Sequence, residues 1–209
     1  MDKHQLIQEL RAEGFSKNIL FAMSKVDRAL FVPKNLKRSA WDNIPLPIGH
    51  GQTISQPLMV AEMTEKLDVR KGQKVLEVGA GSGYQAAVLK ELVGPKGSVL
   101  TVERIPELAE SAGENLRSAG YDVEVIVGDG TIGCPSAVPY DRIMVTAASP
   151  DIPPPLVEQL KIGGKLAIPI GAGFQTLVVA EKVSAGALEK TYYGGCIFVP
   201  LLGEYGFRH

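Results

Sequence analysis

The pattern of hydrophobic and polar positions divides this chain into a helical beginning, an α/β middle and a β-rich end. In the first 38 residues, one helix face is marked by apolar residues at Ile19, Leu20, Met23, Val26 and Leu30. Pro33 ends the pattern, because proline does not fit a helix interior. The segment from Trp41 to Gln56 is rich in proline and glycine and is predicted to be a long loop, followed by a helix over 58–67.

From residue 74 onward, short β-branched runs alternate with helical runs. The predicted strands are 74–78, 98–102, 123–127, 141–146 and 164–170, and the predicted helices are 84–93, 106–119 and 154–161. Such alternation is typical of parallel strands joined by right-handed crossovers. Two last apolar runs, 175–183 and 188–199, flank Ser184-Ala185-Gly186-Ala187 and predict a closing β-hairpin at the sheet edge.

These elements predict an α/β fold class: one doubly wound, mostly parallel seven-stranded sheet with an N-terminal helical cap and a C-terminal β-hairpin. Residues 1–57 form the cap and a functional loop, and residues 58–209 form the α/β core, in one compact unit. We expect the protein to be a monomer.

The composition argues against several classes of function. Lys and Arg number 22 against 23 Asp and Glu, so the chain has no overall positive charge to attract a nucleic acid. Without a long apolar run or a signal-peptide pattern, we expect no membrane association and a cytoplasmic location. The two cysteines and three histidines are scattered, which predicts no metal site and no disulfide.

A glycine-rich segment carries the first chemical signal. The predicted strand Val75–Val78 enters Gly79-Ala80-Gly81-Ser82-Gly83, and a helix begins near Tyr84. Ligands of open α/β sheets bind at the carboxyl ends of such strands. Taken alone, the loop is equally well explained as a tight turn between strand and helix.

Glu77 and the glycine spacing narrow the ligand class. Tyr84 stands where the dinucleotide motif GxGxxG has its third glycine, which disfavours a nicotinamide cofactor. A carboxylate at Glu77 would be unfavourable beside a pyrophosphate but suits the cationic methionine end of S-adenosylmethionine.

Two further acids end the neighbouring strands. Glu103 follows the second strand, where a carboxylate can accept hydrogen bonds from ribose hydroxyls. Asp129, within Gly128-Asp129-Gly130, follows the third strand and is predicted to accept from an adenine amino group; an Asx turn also explains it. The predicted cofactor-binding residues are Glu77, Gly79, Gly81, Ser82, Gly83, Glu103, Asp129 and Gly130.

The chain also resembles the protein-L-isoaspartate O-methyltransferase family. The matching segments are Val26–Pro33, Pro45–Pro57, Val75–Tyr84, Gly128–Gly130, Pro139–Ile143, Gly163–Leu166 and Phe198–Leu201. The segment Gly51-Gln52-Thr53-Ile54-Ser55-Gln56-Pro57 is the most specific to that family. The resemblance implies methyl transfer from S-adenosylmethionine, leaving S-adenosylhomocysteine, to the α-carboxylate of isoaspartyl residues in damaged proteins and peptides.

Residue roles follow from the same resemblance. Ser55 falls on the family's catalytic serine and is expected to contact the substrate. Independently of the resemblance, we hypothesise that Gln52–Ser55 forms a lid over the methionine end of the cofactor, with Gln52, Thr53 and Ile54 as cofactor contacts. Val199 and Pro200 fall on the region that lines the family's peptide cleft. Two alternatives stay open: Ser55 as the N-cap of the helix 58–67, and Phe198 as a core residue of a terminal strand.

Three other functions fit the sequence less well. Asp151-Ile152-Pro153-Pro154-Pro155 resembles the acid-Pro-Pro-aromatic motif of amine-directed nucleic-acid methyltransferases, but Ile152 is inserted and Pro155 replaces the stacking aromatic residue. A dehydrogenase is disfavoured by Tyr84. A binding module without catalysis is disfavoured by the intact segment around Ser55.

Overall fold

The computed structural model describes residues 1–208. Its helices are α1 (Lys3–Ala12), α2 (Lys17–Lys25), α3 (Pro57–Leu67), α4 (Tyr84–Val93), α5 (Pro106–Ser118) and α6 (Pro154–Gln159). Its strands are β1 (Leu46–Gly49), β2 (Gln52–Ile54), β3 (Lys74–Val78), β4 (Ser98–Glu103), β5 (Glu124–Val127), β6 (Tyr140–Val145), β7 (Leu160–Ile170), β8 (Gln175–Ser184) and β9 (Ala187–Cys196). Within residues 1–208, no helix is both long and apolar enough to cross a membrane.

The large sheet has the strand order β5-β4-β3-β6-β7-β8-β9. The five strands from β5 to β7 run parallel, and β8 and β9 add an antiparallel hairpin at one edge. The predicted doubly wound, mostly parallel seven-stranded sheet with a terminal hairpin is therefore confirmed.

Strand β3 lies at the point where the chain changes direction across the sheet. After β3 the chain proceeds to β4 and β5 on one side, then returns to β6 and β7 on the other. Residues Val75–Val78 are buried, with Val75 in one apolar cluster and Leu76 and Val78 in another. A crevice forms at the carboxyl ends of the strands beside such a reversal.

The N-terminal cap consists of several helical pieces. After α1 the backbone of Gly14 has φ +92°, which a right-handed helix cannot accommodate, so the chain turns before α2. Short 3-10 turns follow over Arg28–Leu30 and Lys34–Ser39. Leu10 and Met23 join the same apolar cluster as Leu89 of α4, so the cap packs on the sheet through that helix.

The segment predicted as one long loop contains a small β-hairpin. β1 and β2 pair antiparallel, with Leu46 opposite Ile54, and the turn between them uses positive φ at Gly49, His50 and Gly51. Strands of four and three residues that pair only with each other give no lasting hydrophobic alternation, so the sequence pattern did not reveal them.

Helix α6 ends at Gln159, two residues before the predicted end. β7 begins directly at Leu160. The Nζ of Lys182 on β8 donates to the carbonyl oxygens of Val157 (2.8 Å), Glu158 (3.2 Å) and Leu160 (2.8 Å). These bonds satisfy the last carbonyls of the helix and favour its early end.

Candidate functional site

A cavity lies at the carboxyl ends of β3, β4 and β6. Its empty space, including the open mouth, is about 1030 Å³. The predicted site residues on its wall are Gln52, Thr53, Ile54, Ser55, Gly79, Gly81, Ser82, Glu103, Gly130, Val199 and Pro200. Among the described residues, the predicted Glu77, Gly83 and Asp129 lie outside this lining.

The glycine loop needs its glycines for two different reasons. Gly79 and Gly81 line the cavity with φ +97° and +53°, and a Cβ on Gly79 would collide with the hydroxyl of Thr146. Thr146 Oγ1 donates 2.7 Å to the carbonyl oxygen of Gly79 and fixes the turn. Gly83 caps α4 with φ +88° and lies against Leu116 of α5. Gly83 therefore serves helix packing behind the cavity wall rather than the wall itself.

Glu103 connects two parts of the cavity wall. Its Oε2 accepts from the backbone N–H of Gly81 at 3.0 Å, and its Oε1 accepts from the N–H of Ile105 at 3.0 Å. Each carboxylate oxygen can accept a second hydrogen bond, so these contacts leave capacity for two hydroxyl groups. The position and the acceptor capacity both fit the ribose predicted there.

Glu77 is completely buried beneath the glycine loop. Its Oε2 accepts from Thr101 Oγ1 at 2.5 Å, and within residues 1–208 its Oε1 has no hydrogen-bond partner. Burial raises the pKa of Glu77 to about 8, the bond from Thr101 opposes that rise, and the charge of Glu103 adds to it. A buried carboxylate oxygen without a partner suits a nearby cation or N–H donor, as the methionine end of S-adenosylmethionine would provide.

Asp129 follows β5 as predicted, but it lies outside the cavity lining. Its Oδ1 accepts from the backbone N–H and the hydroxyl of Thr131 at 2.8 and 2.7 Å, and its Oδ2 accepts from the N–H of Glu204 at 2.8 Å. The wall at this point is Gly130, which packs against Val78 too closely to carry a Cβ. The carboxylate therefore holds the C-terminal segment and makes the local contact of an Asx-type turn. Its contact with an adenine amino group stays a prediction.

The surroundings of Ser55 decide between its two interpretations. The N-cap of α3 is Gln56, and the N–H of Leu58 donates to Asn43 Oδ1 at 2.9 Å. Asn43 thus supplies the capping oxygen that the sequence analysis considered for Ser55. Ser55 lines the cavity instead, as the family resemblance implies.

Arg28 fixes the backbone of Ser55 and was missed by the sequence analysis. The guanidinium is fully buried and donates to the carbonyl oxygens of Ser55 (3.0 Å), Ile44 (3.3 Å) and Ala40. It also lies 5.7 Å from the ring centroid of Tyr84, a cavity-lining residue. Burial lowers the pKa of Arg28 to about 10, so the group is still a cation at neutral pH.

The other predicted substrate residues belong to a segment after β9, Phe198–Leu202, which we call the wall segment. All five of its residues line the cavity. The N–H of Ala148 donates to the carbonyl oxygen of Val199 at 2.8 Å, and the N–H of Leu201 donates to the carbonyl oxygen of Ala148 at 2.7 Å. β9 ends at Cys196, three residues before the predicted end. Phe198 is half-buried and packs on the main apolar cluster while it also lines the cavity, but it lies outside β9, so the alternative of a core residue within a strand is wrong.

Comparisons with known proteins agree with this geometry. A family model described as protein-L-isoaspartate(D-aspartate) O-methyltransferase matches residues 1–206. A protein-L-isoaspartate O-methyltransferase of Methanopyrus kandleri is 56% identical over 211 residues, covering 99% of this chain and 93% of that protein.

Solved structures give the same result. One protein-L-isoaspartate O-methyltransferase superposes with a TM-score of 0.91 and 31% identity, covering 98% of this chain and 67% of that chain. A Plasmodium falciparum protein solved with S-adenosyl-L-homocysteine has the same fold, with a TM-score of 0.86 and 24% identity over 97% of this chain and 99% of that chain. From its sequence, its fold and its cavity, this chain belongs to the protein-L-isoaspartate O-methyltransferase family.

Proposed function

We propose that this protein repairs damaged proteins and peptides by transferring a methyl group from S-adenosylmethionine to the α-carboxylate of their L-isoaspartyl residues. The observation that carries the proposal is that Ser55, the wall segment, the glycine loop and Glu103 line one cavity. A nucleoside pocket is therefore continuous with a wall that a polypeptide can contact. S-adenosylhomocysteine is the other product.

The cofactor side of the cavity is built from three strands and the β1–β2 hairpin. Glu103 would accept from the ribose hydroxyls, and the glycine loop would let the backbone approach the ligand closely. Glu77 would offer a partly unsatisfied carboxyl group to the methionine end, which Gln52–Ile54 would cover. When bound, S-adenosylmethionine supplies a methyl group activated by its sulfonium.

The acceptor side has little acid–base chemistry to perform. A carboxylic acid with an ordinary pKa near 4 is already ionised at neutral pH, so no general base is needed. Among the described residues that line the cavity, none is a histidine or a lysine. The hydroxyl of Ser55 donates to one carboxylate oxygen and orients the other, and alignment accounts for most of the rate enhancement.

The methyl ester makes the repair possible. The neighbouring peptide nitrogen attacks the ester carbonyl, methanol leaves, and a succinimide ring forms. Water then reopens the ring, partly to normal aspartate. In this scheme the enzyme performs only the methylation, and the later steps follow from the reactivity of the ester.

The test offers S-adenosylmethionine with a labelled methyl group to two peptides that differ only in isoaspartate or aspartate. We expect label on the isoaspartyl peptide alone, released as methanol in mild base because a carboxyl methyl ester is base-labile. Equal labelling of both peptides, or label that resists base, would contradict the proposal. The same peptides without enzyme measure spontaneous labelling.

A further inference from the structure

The wall segment is held from outside the cavity by a buried glutamine. Gln175 begins β8 opposite Cys196, the last residue of β9, so the backbone ladder between these strands ends at this pair. The side chain of Gln175 is only 6% exposed. Beyond Cys196 the chain leaves the sheet and runs along the cavity as the wall segment.

The amide of Gln175 continues the ladder by one residue. Its Nε2 donates to the carbonyl oxygen of Phe198 at 2.9 Å, and its Oε1 accepts from the N–H of Phe198 at 2.6 Å. A primary amide carries the same donor and acceptor as a peptide group, so it can replace the missing strand partner. Phe198 thereby has both backbone groups satisfied although it lies outside any strand.

The two bonds also set the direction of the chain at the start of the wall segment. Ile197 is 92% exposed, whereas Phe198 faces the cavity and the core. Farther along, Ala148 holds the backbone of Val199 and Leu201. The segment is therefore fixed at two places, by Gln175 at its outer end and by Ala148 deeper in the cavity.

We propose that Gln175 is a positioning residue for polypeptide binding: its side-chain amide holds Phe198 and so sets the shape of the wall that receives the isoaspartyl chain. This inference rests on the proposed function. The predicted cofactor contacts include Gly81, in the loop after β3, and Glu103, at the end of β4, and β6 and β7 separate those strands from β8. Loss of the Gln175 bonds therefore weakens peptide binding and leaves cofactor binding intact.

Two substitutions separate the parts of this interaction. Gln175→Leu keeps much of the volume and removes both hydrogen bonds. Gln175→Glu keeps an acceptor for the N–H of Phe198 but places a second carboxylate oxygen against its carbonyl oxygen. At acidic pH the variant side chain regains a proton and can donate to that carbonyl again.

The chain offers a matched control in Gln159. This glutamine is 7% exposed, donates to the carbonyl oxygen of Ile132 at 2.7 Å and accepts from the N–H of Cys134 at 2.9 Å. Its pair of bonds is equivalent to that of Gln175, but Ile132 and Cys134 are not among the described cavity-lining residues. Gln159→Leu and Gln159→Glu therefore reproduce the loss of a buried amide clamp away from the wall.

The experiment measures KM for an isoaspartyl peptide, kcat, and Kd for S-adenosylhomocysteine in all four variants. We expect KM to rise about tenfold in Gln175→Leu with Kd changed less than twofold, and both values to stay near wild type in the Gln159 variants. In Gln175→Glu the rise in KM should shrink as the pH falls from 8 to 6, relative to wild type at each pH.

Equal KM changes at both glutamines, or a loss confined to S-adenosylhomocysteine affinity, would overturn the inference. If Gln175→Leu does not fold, the pH dependence of Gln175→Glu decides alone: a KM ratio that stays constant with pH overturns it. A wild-type protein that does not methylate the isoaspartyl peptide contradicts the proposed function instead, so the two failures are distinguishable.

Discussion

Replacing Glu77 by glutamine isolates the energetic cost of the buried carboxylate beneath the glycine loop. Glutamine keeps the shape and an acceptor for Thr101 Oγ1, but it cannot ionise. In the folded chain burial raises the pKa of Glu77 from 4.5 to about 8. Between these two pH values the folded protein holds a proton that the unfolded chain has lost, so stability falls as the pH rises through this window.

The size of the effect follows from the shift. One pKa unit corresponds to about 1.36 kcal/mol, so the full shift corresponds to roughly 5 kcal/mol above pH 8 and roughly 3 kcal/mol at pH 7. The contribution that stabilises the protein is complete below pH 4.5 and is lost by about pH 8. Relative to wild type, Glu77→Gln should therefore gain stability between pH 5 and about pH 8, and the difference should then level off.

Urea unfolding of both proteins at pH 5, 7 and 9 measures this difference, because other titrating groups cancel between wild type and variant. Glu124→Gln, an exposed position on β5, is the control and should show no such trend. A stability difference between Glu77→Gln and wild type that does not widen with pH would refute the reasoning.

The same carboxylate predicts the pH dependence of cofactor binding. A cationic ligand end near Glu77 favours its ionised form, so binding S-adenosylmethionine at pH 7 should release a proton. Calorimetry in buffers of different ionisation enthalpy detects that proton. If Glu77→Gln releases the same number of protons on binding, the proton comes from another group.

Three further substitutions test the rest of the site. Ser55→Ala should lower turnover about tenfold to a hundredfold, because it removes one hydrogen bond to a charged group, and it should leave S-adenosylhomocysteine binding unchanged. Ser111→Ala, at an exposed position, is the control. Full activity of Ser55→Ala would rule out the assigned role. Arg28→Lys should lower the free energy of unfolding by about 2–4 kcal/mol and slow turnover, because a compact ammonium on a different stem cannot reproduce the planar fork whose two nitrogens reach the carbonyl oxygens of Ala40, Ile44 and Ser55. Urea unfolding and steady-state rates at wild-type levels would show that the fork is dispensable. Gly79→Ala should lower the free energy of unfolding by about 1–3 kcal/mol and weaken S-adenosylhomocysteine binding. Gly72→Ala is the control, because Gly72 has φ +82° but open space around it, and this variant should bind S-adenosylhomocysteine normally. Equal weakening of binding in both variants, measured by calorimetry, would contradict the steric argument.

The sheet and its helices could be predicted because local signals mark their ends. Helix α4 spans the predicted residues 84–93, and glycines at 83 and 94 flank it. Parallel strands buried on both faces also give continuous apolar runs, as in Ile143-Met144-Val145 of β6. The β1–β2 hairpin gave no such signal, since its strands are too short to show a period.

The contacts that position the site were harder to predict because they join residues distant in sequence. Arg28 and Ser55 are 27 positions apart, and Gln175 and Phe198 are 23 apart. Arginine and glutamine in a sequence are ordinarily exposed, so nothing local marks these two as buried. Asp129 shows the same limit: its place after a strand predicts a ligand contact, but nothing local indicates that its carboxylate also accepts from the N–H of Glu204, 75 positions later.

The contacts of Asp129 also bear on the chemical ageing of the protein itself. Asp129 precedes Gly130, and an Asp-Gly pair is prone to isoaspartate formation because glycine has no Cβ to shield its nitrogen from the neighbouring side chain. Ring closure requires the Asp129 carboxyl carbon to turn onto the Gly130 nitrogen. Thr131 and Glu204 hold both carboxylate oxygens and oppose that rotation. The fold therefore shields one of its own vulnerable bonds from the damage that the enzyme repairs in others.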